Sequence, residues 1–261
     1  MKTHVRQTET VGKVRRLVRT WQTVVVLSLT VVTTLLAGCT KPSPAQPRLL
    51  LILLDETSSF VVTGYWADSL EVARSAVFLL RPGDQVCVIG VDDHAFDYDD
   101  VRIPVTELPR GALASTQAKK VLIQKIAALK PRPTSSGWKL PDGSLKSHPK
   151  GTDVLGAIHH AAHFASRADR VVSVIACSDF QDEPTTESSG QLQQAASFPP
   201  QTRFVGMFVV ERGGREWDAR VNRWIQKLRG LNIDCTDRDF HTGSESKQAS
   251  ILSKLLAKRA A

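Results

Sequence analysis

A doubly wound α/β domain, with a mostly parallel sheet covered by helices on both faces, is the fold that residues 48–261 predict. Three observations carry it. Apolar runs of strand length recur along the chain: "LLLILL" from Leu49, "QVCVIGV" from Gln85, "VVSVIAC" from Val171 and "TRFVGMFVV" from Thr202. Longer segments with helical periodicity separate them, and near-continuous apolar strands belong to parallel sheets buried on both faces. The runs also stop abruptly on polar residues, "DETSS" after the first and "SD" after "VVSVIAC".

Taken in order, "LLLILL" is a buried strand, and "ADSLEVARSAVFLL" is a helix that Asp68 can cap with Glu71 three residues on. "RPGD" breaks the chain before the strand "QVCVIGV". "VRIPVTEL" reads as a short edge strand, because Pro104 cannot donate to a central ladder. "ALASTQAKKVLIQKIAALK" sets Leu113, Ala118, Val121, Leu122, Ile126 and Leu129 near one helical face. Residues 131–151, rich in proline and polar residues, read as a long irregular surface insertion. Regularity returns with "TDVLGAIHHAAHFASR" as a helix, then the strands "VVSVIAC" and "TRFVGMFVV". In the helix "REWDARVNRWIQKLRG", Trp217, Val221, Trp224, Ile225 and Leu228 form a core-facing stripe. "LNIDC" would be a last short strand and "SKQASILSKLLAKR" a final helix. There is no internal repeat, so residues 48–261 form one domain.

The formal net charge of +8 invites a nucleic-acid reading, but the charge is unevenly placed. Residues 1–38 hold Lys2, Arg6, Lys13, Arg15, Arg16 and Arg19 against Glu9, leaving 28 basic and 25 acidic residues elsewhere. No nucleic-acid partner is expected from so balanced a domain. The basic stretch runs into "WQTVVVLSLTVVTTLLAG", 18 residues without a charge, and then Cys39. "LAGC" at Leu36 to Cys39 resembles the lipobox of bacterial lipoproteins, which implies a cleaved signal peptide over 1–38 and a lipidated Cys39. The same 18 residues are just long enough to span a bilayer, so a retained anchor is the alternative. Either way the domain is exported and tethered, because positive residues stay on the cytoplasmic side. One acyl chain holds weakly, whereas the several chains of a lipoprotein, palmitate among them, anchor durably. Residues 39–47, the lipidated cysteine and a run with three prolines, read as an extended tether. Thr40 stands where an Asp would imply inner-membrane retention, so the resemblance implies the cell envelope, at the outer membrane if the cell has one. Cys87, Cys177 and Cys235 lie in or beside apolar runs and read as buried thiols, since an odd number cannot all pair.

In an open parallel sheet, ligands bind beyond the carboxyl ends of the strands. There this sequence places Asp55, Glu56, Thr57, Ser58 and Ser59 after the first strand, Ser178 and Asp179 after "VVSVIAC", and "GTD" at 151–153 before a helix. These residues resemble the three loops of a von Willebrand factor A domain with its metal-ion-dependent adhesion site (MIDAS). That family's Asp-x-Ser-x-Ser loop is matched by Asp55, Thr57 and Ser59, its second-loop threonine by Thr152, and its third-loop aspartate by Asp179. The resemblance implies a Mg²⁺ (or Mn²⁺) ion bound directly by hydroxyls and through water by aspartates. It further implies an acidic side chain from a protein partner that completes the shell.

The donor set has its own logic. Mg²⁺ takes oxygen ligands, keeps several waters and uses few carboxylates, so two carboxylates and three hydroxyls suit it. Two carboxylates about 5 Å apart repel by roughly 3 kcal/mol at an effective dielectric near 20, and a cation turns that repulsion into attraction. A structural role is the competing reading: Thr152 and Asp153 can cap a helix, and Ser59 can belong to a turn. Glu56 is the awkward residue, since an extra acid there either strengthens cation binding or repels acidic partners.

Other motifs carry less. "DDHAFDYDD", residues 92–100, lacks the spacing of an EF-hand loop and reads as a solvated loop. His159 and His163 have the spacing of a metal pair but no accompanying Glu, so helix packing or a solvent face is the expectation for them and for His160. No Gly-rich phosphate loop or nucleophile elbow is present. The functional expectation is therefore a tethered binding module and not an enzyme. The alternatives are a Mg²⁺-dependent phosphohydrolase using Asp55 as nucleophile, which lacks a proton donor because Thr57 replaces the acid, and an inert structural lipoprotein.

Overall fold

The computed structural model describes residues 46–92, 100–131, 152–181, 196–209, 215–245 and 249–257. The lipobox with Cys39 and the insertion beyond Pro131 lie outside the described residues, as do residues 93–99 of the acidic loop.

Six strands form one sheet: β1 (Arg48–Asp55), β2 (Gln85–Val91), β3 (Val101–Glu107), β4 (Val171–Cys177), β5 (Arg203–Val209) and β6 (Phe240–Thr242). Their order is β3-β2-β1-β4-β5-β6, with β3 antiparallel at the edge and the other pairings parallel. This is doubly wound topology: the winding reverses between β1 and β4, which opens a crevice at their carboxyl ends. The predicted edge position of the Pro104 strand is thus observed.

The central strand reads as continuous leucine because both faces of the sheet are covered. Leu49, Leu51 and Leu53 pack on one side with Val154, Ile158, Trp224 and Leu228. Leu50, Ile52 and Leu54 pack on the other with Val72, Val77, Leu122 and Leu255. The first side is covered by α4 (Val154–Ser166) and α5 (Arg215–Gly230). The second is covered by the short α1 (Ser58–Val62), α2 (Tyr65–Leu79), α3 (Ala112–Ala127) and α6 (Ala249–Leu256). Each large aliphatic side chain so buried stabilises by about 1.5–3 kcal/mol. The stripe of Trp217, Val221, Trp224, Ile225 and Leu228 is buried as its spacing predicts, and Cys87, Cys177 and Cys235 are buried free thiols.

Three local expectations fail for physical reasons. Asp68 does not cap α2; the helix begins earlier, at Tyr65 behind a left-handed Gly64, and Asp68 lies within its first turn. Aromatic packing holds that early start: Tyr65 lies 5.4 Å from Phe208 and 5.7 Å from Phe60. Second, α3 buries Ser115, Leu122 and Ile126 and leaves Leu113 75 % exposed. Leu113 is two positions from Ser115, about 200° around the helix, so the apparent stripe mixes two faces. Third, "LNIDC" is not a strand. Its first residues close α5, with the Ile233 N–H donating to the Leu228 carbonyl at 3.0 Å and Asn232 left-handed at φ 68°. The ladder position beside β5 goes instead to Phe240–Thr242.

Candidate metal centre

β1 and β4 run side by side, pairing Leu54 with Cys177, so each delivers its next polar residues to the same crevice. Asp55 is the last residue of β1 and is fully buried. Its Oδ1 accepts from the Thr57 backbone N–H at 2.9 Å and from the Thr57 hydroxyl at 2.5 Å. Its Oδ2 accepts from the Ser178 hydroxyl at 2.7 Å. Ser178 Oγ in turn accepts from the Phe180 N–H at 3.0 Å, which folds the third loop back on itself.

Burial pushes the Asp55 carboxyl up to about 7, and the charge of Asp179 pushes the same way. The hydrogen bonds from Thr57 and Ser178 oppose that rise without cancelling it. A hydroxyl has one proton and two lone pairs, so Thr57 and Ser178 spend their protons on Asp55 and keep only acceptor capacity, which Ser178 turns to the Phe180 N–H. Thr57 Oγ1 lies 3.4 Å from Ser59 Oγ, and Ser59 is exposed at the start of α1. Asp179, half-buried, accepts from the Gln181 N–H through Oδ1 at 2.9 Å.

Thr152 reaches the same sheet end by another route. The Asp153 N–H donates to the Asp92 carbonyl just beyond β2 at 2.7 Å, while Asp153 Oδ1 caps α4 by accepting from the Gly156 N–H at 2.7 Å. Gly156 is required for that cap, since a Cβ there would stand 2.2 Å from Asp153 Oδ2. Capping is therefore the role of Asp153, while Thr152 is buried beside it.

Glu56, the awkward acid, is turned away from the crevice. Its carboxylate makes a two-pronged ion pair with Arg102 of β3, whose other nitrogen donates to the Lys130 carbonyl at 2.9 Å. Its backbone N–H also extends the ladder, donating to the Val91 carbonyl at 2.9 Å. The extra charge is neutralised on the far side of β2 from β4.

The third loop is held under strain. Phe180 has φ 58°, a left-handed conformation that costs a bulky residue on the order of 1–3 kcal/mol. Its ring meets Trp224 at 5.3 Å and Phe240 at 5.5 Å, and its carbonyl accepts from Trp224 Nε1 at 2.9 Å. Arg220 adds a hydrogen bond to the Asp179 carbonyl at 3.0 Å.

The structure thus gathers Asp55, Thr57, Ser59 and Asp179 at the switch point and sets Thr152 at the same end of the sheet. Ser178 is a further contributor, signalled in the sequence only as a hydroxyl before Asp179. Arg102 gave no sequence signal, because its pairing with Glu56 spans 46 residues. Among the described residues no group of three or more His, Cys, Asp or Glu side chains could hold a metal. The gathered set has two carboxylates and otherwise hydroxyls, a composition that fits a small hard cation and not zinc-type ligation. His159 and His160 are buried, and burial lowers both; His160 stacks on Phe164 at 5.2 Å, in keeping with helix packing.

No protein-family model matches the chain, and no curated protein matches it either. Among solved structures, proximal thread matrix protein 1 from the mussel byssus is 14% identical over 80% of this chain and 46% of its own, with a TM-score of 0.44. A von Willebrand factor type A protein from Catenulispora acidiphila is 12% identical over 83% and 44%, with a TM-score of 0.43. Manganese-loaded TRAP from Plasmodium vivax is 15% identical over 82% and 74%, with a TM-score of 0.41. The chain spans less than half the length of the first two. Likeness at this level carries no argument about site or partner.

Proposed function

We propose that this chain is an exported, membrane-tethered binding module of von Willebrand factor A type. It engages an acidic side chain of a protein partner through a divalent cation, Mg²⁺ or Mn²⁺, at the strand-end site. The observation that carries the reading is the Asp55 carboxylate, fully buried at the switch point and held by hydroxyls from both flanking loops. An apolar core gains nothing from a buried acid that burial itself disfavours, whereas a cation compensates it.

Thr57, Ser59 and Thr152 would hold the ion through their hydroxyls, with Asp55 and Asp179 balancing its charge from behind. The ion would supply a positive coordination position open to a carboxylate. Binding is favoured over catalysis: both oxygens of Asp55 are engaged by Thr57 and Ser178, and the residue two positions on, Thr57, has no carboxyl to serve as a general acid. The tether belongs to this proposal on the strength of the lipobox alone.

Thermal unfolding in EDTA, Mg²⁺, Mn²⁺ or Ca²⁺, with Asp55→Ala alongside, tests the site. A cation at 100 times its dissociation constant adds about 2.7 kcal/mol of stability. A cation-dependent shift that the variant loses is expected. An identical melt in EDTA and in every cation would sink the proposal and leave the inert scaffold.

A further inference from the structure

Beside the third loop lies an open pocket of about 360 Å³, lined by Phe180 and Gln181 of the loop and by Glu216, Ala219, Arg220, Arg223 and Trp224 of α5. It adjoins the candidate site directly: Arg220, in its wall, donates to the backbone carbonyl of Asp179 at 3.0 Å.

The two arginines differ in what they have left to offer. Arg220 is committed to the Asp179 carbonyl and to an ion pair with Glu216 one turn earlier, and its side chain is only 15% exposed. Arg223 is exposed and makes no hydrogen bond or ion pair among the described residues. The cavity holds two guanidinium groups against the single carboxylate of Glu216, so it carries one positive charge in excess. A guanidinium with its planar donors unspent is matched by a carboxylate, which it grips with two parallel hydrogen bonds.

We infer that this cavity is a second carboxylate subsite, and that the partner segment is an acidic peptide with two carboxylates, one for the cation site and one for Arg223. The inference rests on the cation-site reading for the first contact; the second is made by the protein alone. Arg220 is a positioning residue, joining the cavity wall to the loop that carries Asp179. Arg223 sets specificity: a partner with a single acid gains nothing from the cavity, and one with a lysine beside its acid is repelled.

The test is calorimetric titration of the full-length protein in mild detergent with synthetic glycine-flanked peptides. One set carries a single Glu, the other two Glu separated by zero to three glycines. In Mg²⁺, a two-Glu peptide of one spacing binds about fivefold tighter than the one-Glu peptide, the upper range for a partly exposed ion pair. Arg223→Ala removes the gain, Arg223→Glu turns it into a penalty, and Arg223→Lys restores part of it. The cation-dependent melting shift of all three variants stays that of the wild type. Equal affinity for one and two glutamates at every spacing, or a gain that survives Arg223→Ala, overturns the subsite while leaving the cation site standing. One-Glu binding that is unchanged by EDTA overturns the cation-site reading; the gain through Arg223 then still decides the subsite.

Discussion

Ser178 and Asp55, 123 residues apart in sequence, are joined by a hydrogen bond of 2.7 Å that ties the end of β4 to the end of β1. The hydroxyl is the only donor to Oδ2 of this buried carboxylate among the described residues. Ser178→Ala is expected to cost about 1–3 kcal/mol of unfolding free energy, the penalty of stripping a partner from a buried polar group. Urea denaturation in EDTA measures it, and a loss below a few tenths would show the bond to be idle.

The elevated Asp55 carboxyl makes stability depend on pH with a defined sign. Above about pH 4 the unfolded chain has released this proton, while the folded chain keeps it up to about 7. The folded state therefore binds more protons in that window, so stability is fully present below it and is lost as pH rises through about 7. The fall is on the order of 4 kcal/mol at about 1.4 kcal/mol per pH unit. His159 and His160, lowered by burial, act oppositely as pH drops below the ordinary histidine value. The difference between wild type and Asp55→Asn, measured by denaturation in EDTA from pH 4 to 8, isolates the aspartate. Saturating Mg²⁺ is expected to flatten the slope, because the ion holds the carboxylate ionised.

Gly156→Ala is expected to act on the second loop from within α4. The added methyl would stand 2.2 Å from Asp153 Oδ2, so the cap must break or the helix must shift. The loss should match that of Asp153→Ala, about 1 kcal/mol or somewhat more. Because both changes remove one interaction, the double variant should cost little more than either alone. Additive losses in a denaturation cycle would show that the glycine serves something else.

Arg102→Ala is expected to destabilise by about 1.5–3 kcal/mol, since it takes an ion pair with its hydrogen bonds from the buried Glu56 carboxylate. Glu56→Gln in the same chain should recover much of that loss. Thermal melts of the two variants decide it, and no recovery would mean that Arg102 matters through packing.

Burial raises the Cys87 and Cys235 thiols to about 12 and Cys177 further. Native protein at pH 8 is expected to leave all three unmodified by iodoacetamide, and unfolded protein to react at each; mass spectrometry reads both. Rapid native modification at any of them would contradict its burial.

Long apolar runs were legible in the sequence because both faces of the central strands are dry, so the pattern needs no knowledge of a partner element. The stripe of Trp217, Val221, Trp224, Ile225 and Leu228 was legible for the same reason, a single buried helical face. Asp55, Thr57, Ser59 and Asp179 stood out because polar residues interrupt apolar strands at one end of the sheet. What escaped depends on contacts between distant segments. Gly64 replaced Asp68 at the head of α2 because Tyr65 packs on Phe208, 143 positions away, and Arg102 answers Glu56 from an edge strand. Local propensity holds no record of such pairs. "LNIDC" failed differently: its alternation is real, with Ile233 and Cys235 buried, but the helix closure consumed the backbone a ladder would need.

The chain enters the sheet at Arg48 and delivers Asp55 at the opposite pole, the length of an eight-residue strand away. At about 3.3 Å per residue, that strand spans roughly 26 Å. The strand-end crevice therefore stands one core height from the residue at which the chain enters the sheet. A ligand seated beside Asp55 would thus meet the domain at the pole opposite the chain's entry, with the leucine strand between the two.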